Sequence, residues 1–208
     1  MKLVNQFQFQ IELEIDMQTR KKKFIEIGTC DFRTLRYLCD QGWEGVMVDP
    51  YQKFLDNIPN HSQLTKVCVA IGPENTISKF IKVKDDVLKY SEEDYRGMGS
   101  IDPESALLEY EEYKGMTESI EVVVITFDDL IEITESDNRI DFLKLDTEGM
   151  DLQIIQSIDF QKYDIRVILM EIRWHWKEHA KDYLEQNGYL VQILENDLFA
   201  VKLNLLED

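Results

Sequence analysis

Apolar and polar positions change period several times along the chain, and each change marks an element. From Phe24 a short apolar run (Phe24, Ile25, Ile27) carries the acid Glu26 and is broken by Gly28. A helical spacing follows, with Phe32, Leu35, Leu38 and Cys39 near one face, and Gly42 stops it. A second apolar run, Val46 to Val48, ends on Asp49-Pro50. Strand, tight loop, helix and strand make a βαβ unit. Its second strand ends on an acid about 20 residues after the glycine, where the ribose hydroxyls of a bound nucleoside would lie.

The same pattern extends in both directions. Upstream, residues 7 to 15 alternate strictly, with Phe7, Phe9, Ile11, Leu13 and Ile15 on one side, which predicts a half-buried accessory strand within residues 1 to 20. That strand either caps its own sheet or pairs across a two-fold axis, so a homodimer is an open expectation. Downstream, Phe54, Leu55 and Ile58 imply a short helix stopped by Pro59, and Leu64 to Ile71 reads as one third strand. The order β-α-β-α-β predicts a parallel sheet with right-handed crossovers. Residues 77 to 83 read as a short strand. From Lys84 to Ser119 the period is lost among glycines, acids and tyrosines, as in a lid or substrate segment, with a helix expected around Ala106 to Tyr113. Tyr90, Tyr95, Tyr110 and Tyr113 are candidate lid contacts.

Regular patterning then resumes. Val122 to Thr126 is a strand, Phe127 to Ile133 a short helix, and Ile140 to Leu145 a strand ending on Asp146. Glu148 to Ser157 is a helix, Ile165 to Ile172 a buried strand reaching Glu171, and His175 to Asn187 a helix closed by Gly188. Tyr189 to Leu194 and Leu198 to Leu203, joined at Glu195-Asn196-Asp197, form a closing hairpin. The expected fold is one α/β domain over residues 1 to 208, its sheet mostly parallel and finished by an antiparallel hairpin.

Composition narrows the partners. Asp and Glu number 41 against 23 Lys and Arg, a formal charge of −18, which repels nucleic acid backbones and anionic lipid surfaces. Neither nucleic acid nor membrane is expected as a partner. The three cysteines, Cys30, Cys39 and Cys68, form no CxxC pair and suit a reducing compartment. With no long apolar signal core, the expectation is a cytoplasmic protein.

The first loop selects the cofactor. A dinucleotide needs glycines where its pyrophosphate presses on backbone. Here Gly28 is followed by Thr29, Cys30, Asp31, Phe32 and Arg33, so only the first glycine is present and an anion stands near the phosphate position. S-adenosylmethionine (SAM) has a ribose but no phosphate. Asp49 would take its ribose diol, and Glu26 or Asp31 would meet its ammonium.

The segments FIEIGTCDF, GWEGVMVDP, VCVAIG, VITFDDLI, IDFLKLDTEGMDLQIIQSIDF and VILMEI resemble, in this order, the FkbM-type methyltransferases. The resemblance runs from about Phe24 to Glu171. It implies a Rossmann-like class I methyltransferase sheet and SAM as cofactor. It also implies Glu26, Gly28, Cys30 and Asp31 along the methionine portion, Asp49 at the ribose, and Asp146 by the sulfonium and the substrate.

Methyl transfer to a hydroxyl calls for in-line positioning and a base. Asp146 and Glu171, at the ends of adjacent strands, are the candidates, with His175 beside Trp174 and Trp176 as a further catalytic candidate on a substrate wall. The expected reaction is O-methylation of a small molecule or sugar hydroxyl. Two alternatives stand beside it. One is an inactive methyltransferase-like binding module, suggested by the glycine-poor loop. The other is a zinc hydrolase, since His175, Glu178 and His179 match H-x-x-E-H. No metal ligand is assigned under the main reading.

Overall fold

A computed structural model of the chain describes residues 21–32, 34–90, 95–102, 104, 113 and 115–203. The strand expected at residues 7 to 15, Arg33, the Tyr90 side chain, Tyr110 and most of the helix expected around Ala106 to Tyr113 lie outside the described residues.

The elements run β1 (Lys23–Ile27), α1 (Tyr37–Asp40), β2 (Glu44–Val48), α2 (Gln52–Asn57), β3 (Leu64–Val67), β4 (Ala70–Ile71), β5 (Thr76–Val83) and α3 (Asp85–Tyr90). They continue as β6 (Thr117–Ile125), α4 (Phe127–Ile133), β7 (Arg139–Leu145), α5 (Asp151–Ser157), β8 (Asp164–Glu171), α6 (Lys177–Gln186), β9 (Tyr189–Leu194) and β10 (Asp197–Lys202). Short 3-10 turns stand at Tyr95–Met98 and Trp174–Trp176.

A seven-stranded sheet has the order β3-β2-β1-β7-β8-β10-β9. Its first five strands are parallel, and β10 runs antiparallel to both β8 and β9. The closing hairpin is therefore as the sequence implies. β7 and β8 are buried on both faces, as central parallel strands are when helices cover the sheet from either side, and the charged residues they carry inward, Asp141, Lys144 and Arg166, are ion-paired. One face packs Ile25, Ile27, Leu143 and Leu145 against Leu130, Ile154, Ile155 and Leu184. The other packs Phe24, Met47 and Phe142 against Leu35, Leu38, Leu55 and Ile58. From the β1–β7 pair the strand order runs β1-β2-β3 to one side and β7-β8 to the other, and this switch point opens a crevice beyond the strands' carboxyl ends.

Three expectations are corrected. The single third strand is two strands in two sheets. β3 pairs with β2 as far as Val48↔Val67, and the Asp49 N–H still donates to the Val67 carbonyl (3.2 Å). The next N–H on that side of the strand, that of Tyr51, donates to the Asp49 carboxylate instead (2.8 Å), and the chain leaves the sheet at Cys68. β4 joins β6 and β5 in a separate three-stranded sheet, order β4-β6-β5, where the Val122 strand also belongs. Its small core is Ala70, Phe80, Val122 and Val124, with Tyr51 and Ile101 against it.

The helix after β1 shrinks to Tyr37–Asp40 because Glu26 competes for it. The Leu35 N–H donates to the buried Glu26 carboxylate (3.1 Å), and residues 34 to 36 stay as turns. Glu148 does not open α5. It sits at φ 57° in the loop before it, and the helix begins at Asp151.

Lys82 on β5 locks the small sheet to the end of β2. Its buried ammonium pairs with Asp85 and Glu118 (2.8 Å each) and lies 4.3 Å from the centre of the Tyr51 ring. Among the described residues no helix is long and apolar enough to cross a membrane.

Candidate active site

The crevice holds a cavity with about 480 Å3 of empty space, part of it open to solvent. Its floor is the carboxyl ends of β1, β2 and β7, through Ile27, Gly28, Cys30, Asp49, Asp146 and Thr147. Its wall is the small sheet and the segment beside it, through Ile71, Phe80, Arg96, Ser100 and Ile101. That segment is part of the stretch read as a lid, and two contacts fix it. The Ser100 hydroxyl donates to the Thr147 carbonyl (3.2 Å), and the Arg96 guanidinium donates to Asp31 (2.9 Å).

Gly28 is required by backbone proximity. It has φ +80°, and a Cβ placed there would stand 1.8 Å from the Asp146 carbonyl oxygen. Its N–H donates to the Val48 carbonyl (2.9 Å), and the Asp146 N–H donates to the Ile27 carbonyl (2.9 Å). The ends of β1, β2 and β7 are thus drawn together at one glycine.

Asp49 is nearly fully buried. Its two oxygens accept the N–H groups of Cys30 and Tyr51 (2.8 Å each). Burial pushes its pKa up to about 6, against the pull of those two donors. Each carboxylate oxygen has a further lone pair, so the group can still accept hydroxyl protons. Cys30 stands at φ 49° and its thiol is pushed up by burial, so it lines the cavity as a neutral group.

The structure brings Gly28, Cys30, Asp49 and Asp146 together around the cavity but places two other expected contacts elsewhere. Glu26 is fully buried beneath the loop, facing Lys144 (3.3 Å) as well as the Leu35 N–H, and does not line the cavity. Asp31 is turned to protein partners, accepting from Arg96 and from the Asn57 amide (3.0 Å). In each case a cation or amide donor within the protein is the nearer partner for the carboxylate. Lys144 bridges Glu26 and Asp146 (2.9 Å). Burial alone would lower its pKa, but the two carboxylates outweigh that and hold it above the usual lysine value.

Beyond Asp146 the acids converge. Oxygens of Asp146, Glu148 and Glu171 all lie within 4.8 Å of one another. Burial first, then the charges of Glu148 and Asp146, push Glu171 up to about 9. Burial, then Asp146 and Asp151, push Glu148 up to about 7. Like charges this close cannot all ionise cheaply, so the cluster holds protons near neutrality. Asp151 shapes it from below, taking the N–H groups of Thr147 (3.0 Å) and Gly149 (3.3 Å). The spacing of the three acids is one a divalent cation could also bridge. Among the described residues this is the one such group.

His175 is not part of it. The histidine sits between the rings of Trp174 and Trp176, with centroids 5.5 and 5.2 Å away. His179 contacts the Gln156 amide (3.1 Å), so the H-x-x-E-H trio gathers no metal-ligand set among the described residues. Trp176 and His179 instead line a groove of about 1400 Å3 with Gln153, Gln156, Asp102 and Arg173. Ile101 and Met150 belong to both the groove and the cavity, so the two are continuous.

The Methyltransferase FkbM domain profile matches residues 26–196, which contain every residue of this site. The chain belongs to the FkbM methyltransferase family. It is accordingly a SAM-dependent methyltransferase, and its seven-stranded sheet is the Rossmann-like class I sheet. None of the curated proteins compared matches this FkbM domain. Two solved structures are similar at 11% identity. One is a precorrin-6y C5,15-methyltransferase from Geobacter metallireducens GS-15, with TM-score 0.44, over 95% of this chain and 88% of that one. The other is the delta-N METTL16 MTase domain, with TM-score 0.45, over 97% of this chain and 82% of that one.

The family implies SAM, and the cavity suits it. The Gly28 approach leaves bare backbone at the floor, and Asp49 offers a hydroxyl acceptor at the end of β2. Two acids line the cavity, a poor setting for a pyrophosphate and an acceptable one for a sulfonium cation.

Proposed function

We propose that the chain O-methylates a hydroxyl of a small molecule or carbohydrate, with SAM in the cavity and Glu171 as the base. The observation that carries this reading is the continuity of the site. Asp146 lines the cofactor cavity and also stands within 4.8 Å of Glu171 and Glu148. This proximity supports Glu171 as a base beside the end of the cofactor cavity, within reach of an attacking hydroxyl held there.

When bound, SAM supplies an electrophilic methyl group on sulfur. The residues of this chain then have separate tasks. Asp49 accepts the ribose hydroxyls. Asp146, anchored by Lys144, keeps a negative edge beside the sulfonium and orients the acceptor hydroxyl. With SAM bound, while the oxygen displaces the methyl carbon from sulfur and S-adenosylhomocysteine departs as the leaving group, Glu171 would take the hydroxyl proton. Its raised pKa makes its carboxylate a stronger base than an ordinary one, and activity should rise with pH as it ionises. In-line positioning supplies much of the remaining rate. The groove supports a polyhydroxylated acceptor, since the amides of Gln153 and Gln156, the Trp176 ring and the Asp102–Arg173 pair offer donors, acceptors and a stacking face.

Calorimetry with SAM and S-adenosylhomocysteine, followed by a panel of hydroxylated acceptors with methyl-labelled SAM, tests the reading. The expected product carries the label as a methyl ether. Failure of the folded protein to bind either adenosyl compound would sink the proposal, and a product methylated on nitrogen would overturn its oxygen chemistry.

A further inference from the structure

The cofactor cavity is lined by acids at two places, Asp49 and Asp146, within a chain of formal charge −18. Its cationic lining among the described residues is one side chain, Arg96. A ligand carboxylate entering this cavity meets repulsion on the floor and attraction at a single point on the wall.

Arg96 is also held in place. Asp31 accepts from one terminal nitrogen (2.9 Å), and the guanidinium lies 5.3 Å from the centre of the Phe32 ring. Gly97 packs on that ring so closely that a Cβ there would be 2.9 Å from it. Asp31 in turn is held from its other oxygen by Asn57 (3.0 Å). A guanidinium is a planar fork with five N–H donors, so an acid on one nitrogen can fix its plane while other donors face a second carboxylate. The side chain is 40% exposed whereas Asp31 is 8% exposed. The arginine, not the aspartate, is the member of the pair that reaches the cavity.

SAM ends in an α-amino acid, with an ammonium and a carboxylate. We propose that Arg96 binds the carboxylate of the cofactor's amino-acid end and that Asp31 acts through it as a positioning residue. This replaces a direct contact from Asp31 to the ammonium. The inference rests on the reading that the cavity takes SAM, and it assigns a cofactor contact to the irregular segment that forms the cavity wall.

The test compares two probes that share the adenosine half. S-adenosylhomocysteine has the amino-acid end, and 5′-methylthioadenosine lacks it. By calorimetry, Arg96→Ala should weaken S-adenosylhomocysteine about 10- to 100-fold and change 5′-methylthioadenosine by less than about twofold. Arg96→Lys should recover part of the loss, because the charge returns without the fork. Asp31→Asn should weaken S-adenosylhomocysteine less than Arg96→Ala does. Unchanged S-adenosylhomocysteine affinity in Arg96→Ala would overturn the inference. So would an equal loss for both probes, which would mark Arg96 as a structural tie of the wall. If the wild type binds neither probe, the cofactor reading itself falls. If it binds both and Arg96→Ala is silent, only this inference does.

Discussion

The two ends of β7 carry opposite electrostatic arrangements on one strand. At its start, Asp141 is buried with two guanidiniums, Arg139 (3.5 Å) and Arg166 (3.6 Å), and accepts the Lys23 N–H (2.9 Å). At its end, Asp146 meets Glu148 and Glu171, with Asp151 beneath, and the one lysine there is shared with Glu26. The first arrangement balances its charge and does no chemistry. The second concentrates acids without matching cations, which costs stability and forces protons to be held. A fold under selection for stability alone would resemble the first end. The surplus at the second coincides with the proposed site, where this sheet topology opens its crevice.

The contrast is tested first, and most severely, by removing the base. Glu171→Gln keeps the shape of the side chain and removes its ability to accept a proton. Turnover with the acceptor found in the panel should fall about 10²- to 10⁴-fold. Calorimetric affinity for S-adenosylhomocysteine should hold. A loss of affinity as large as the loss of rate would mean that Glu171 maintains the cofactor cavity.

The balanced end should respond in stability. Asp141→Ala leaves Arg166 and Arg139 facing each other without their acid, and urea denaturation should record a loss of about 3–5 kcal/mol. Asp146→Ala, measured the same way, leaves Lys144 its second partner, Glu26, and should cost less than about 1 kcal/mol, because Asp146 is partly exposed. Equal costs at the two ends would erase the distinction. Gly28→Ala probes the backbone at the Asp146 end. It forces a side chain into a left-handed conformation, a strain of about 1–3 kcal/mol to which the 1.8 Å clash with the Asp146 carbonyl adds, and should lower both melting temperature and S-adenosylhomocysteine affinity.

Most of this architecture is legible in the residue pattern, because apolar runs and glycines report local geometry directly. β1, β2, β7, β8 and the closing hairpin follow from such runs, and Asp49, Asp146 and Glu171 follow from their places at strand ends. What escapes is pairing at a distance. Nothing near Glu26 announces Lys144, so a buried ion pair reads as a ligand contact. Nothing near Asp31 announces Arg96, which is 65 residues away in a stretch without period. The second sheet escapes for a related reason. LTKVCVAI is uniformly strand-like, and its break depends on where β2 ends in the neighbouring strand. Asp151 was legible in principle as an acid in the first turn of a helix, but its use as an anchor for the preceding loop depends on Glu148 and Gly149 adopting positive φ.

The cost of the acid surplus itself is also read as a pH dependence of stability. Glu171 has a folded pKa of about 9, far above the ordinary glutamate value. Between the two values the native state binds more protons than the unfolded chain, so stability falls as pH rises. Glu148, raised to about 7, and Asp49 and Asp151, raised to about 6, act in the same direction over the lower part of that window. Lys144 and Lys82 are raised too, but their stabilising contributions are lost only above the ordinary lysine value, outside it. The melting temperature should therefore decline from about pH 5 to about pH 9. Glu171→Gln should decline less and, at the alkaline end, melt above the wild type by about 2–4 °C for each kcal/mol relieved. Parallel curves for the two proteins would show that the acids at the end of β7 are as well compensated as Asp141 at its start.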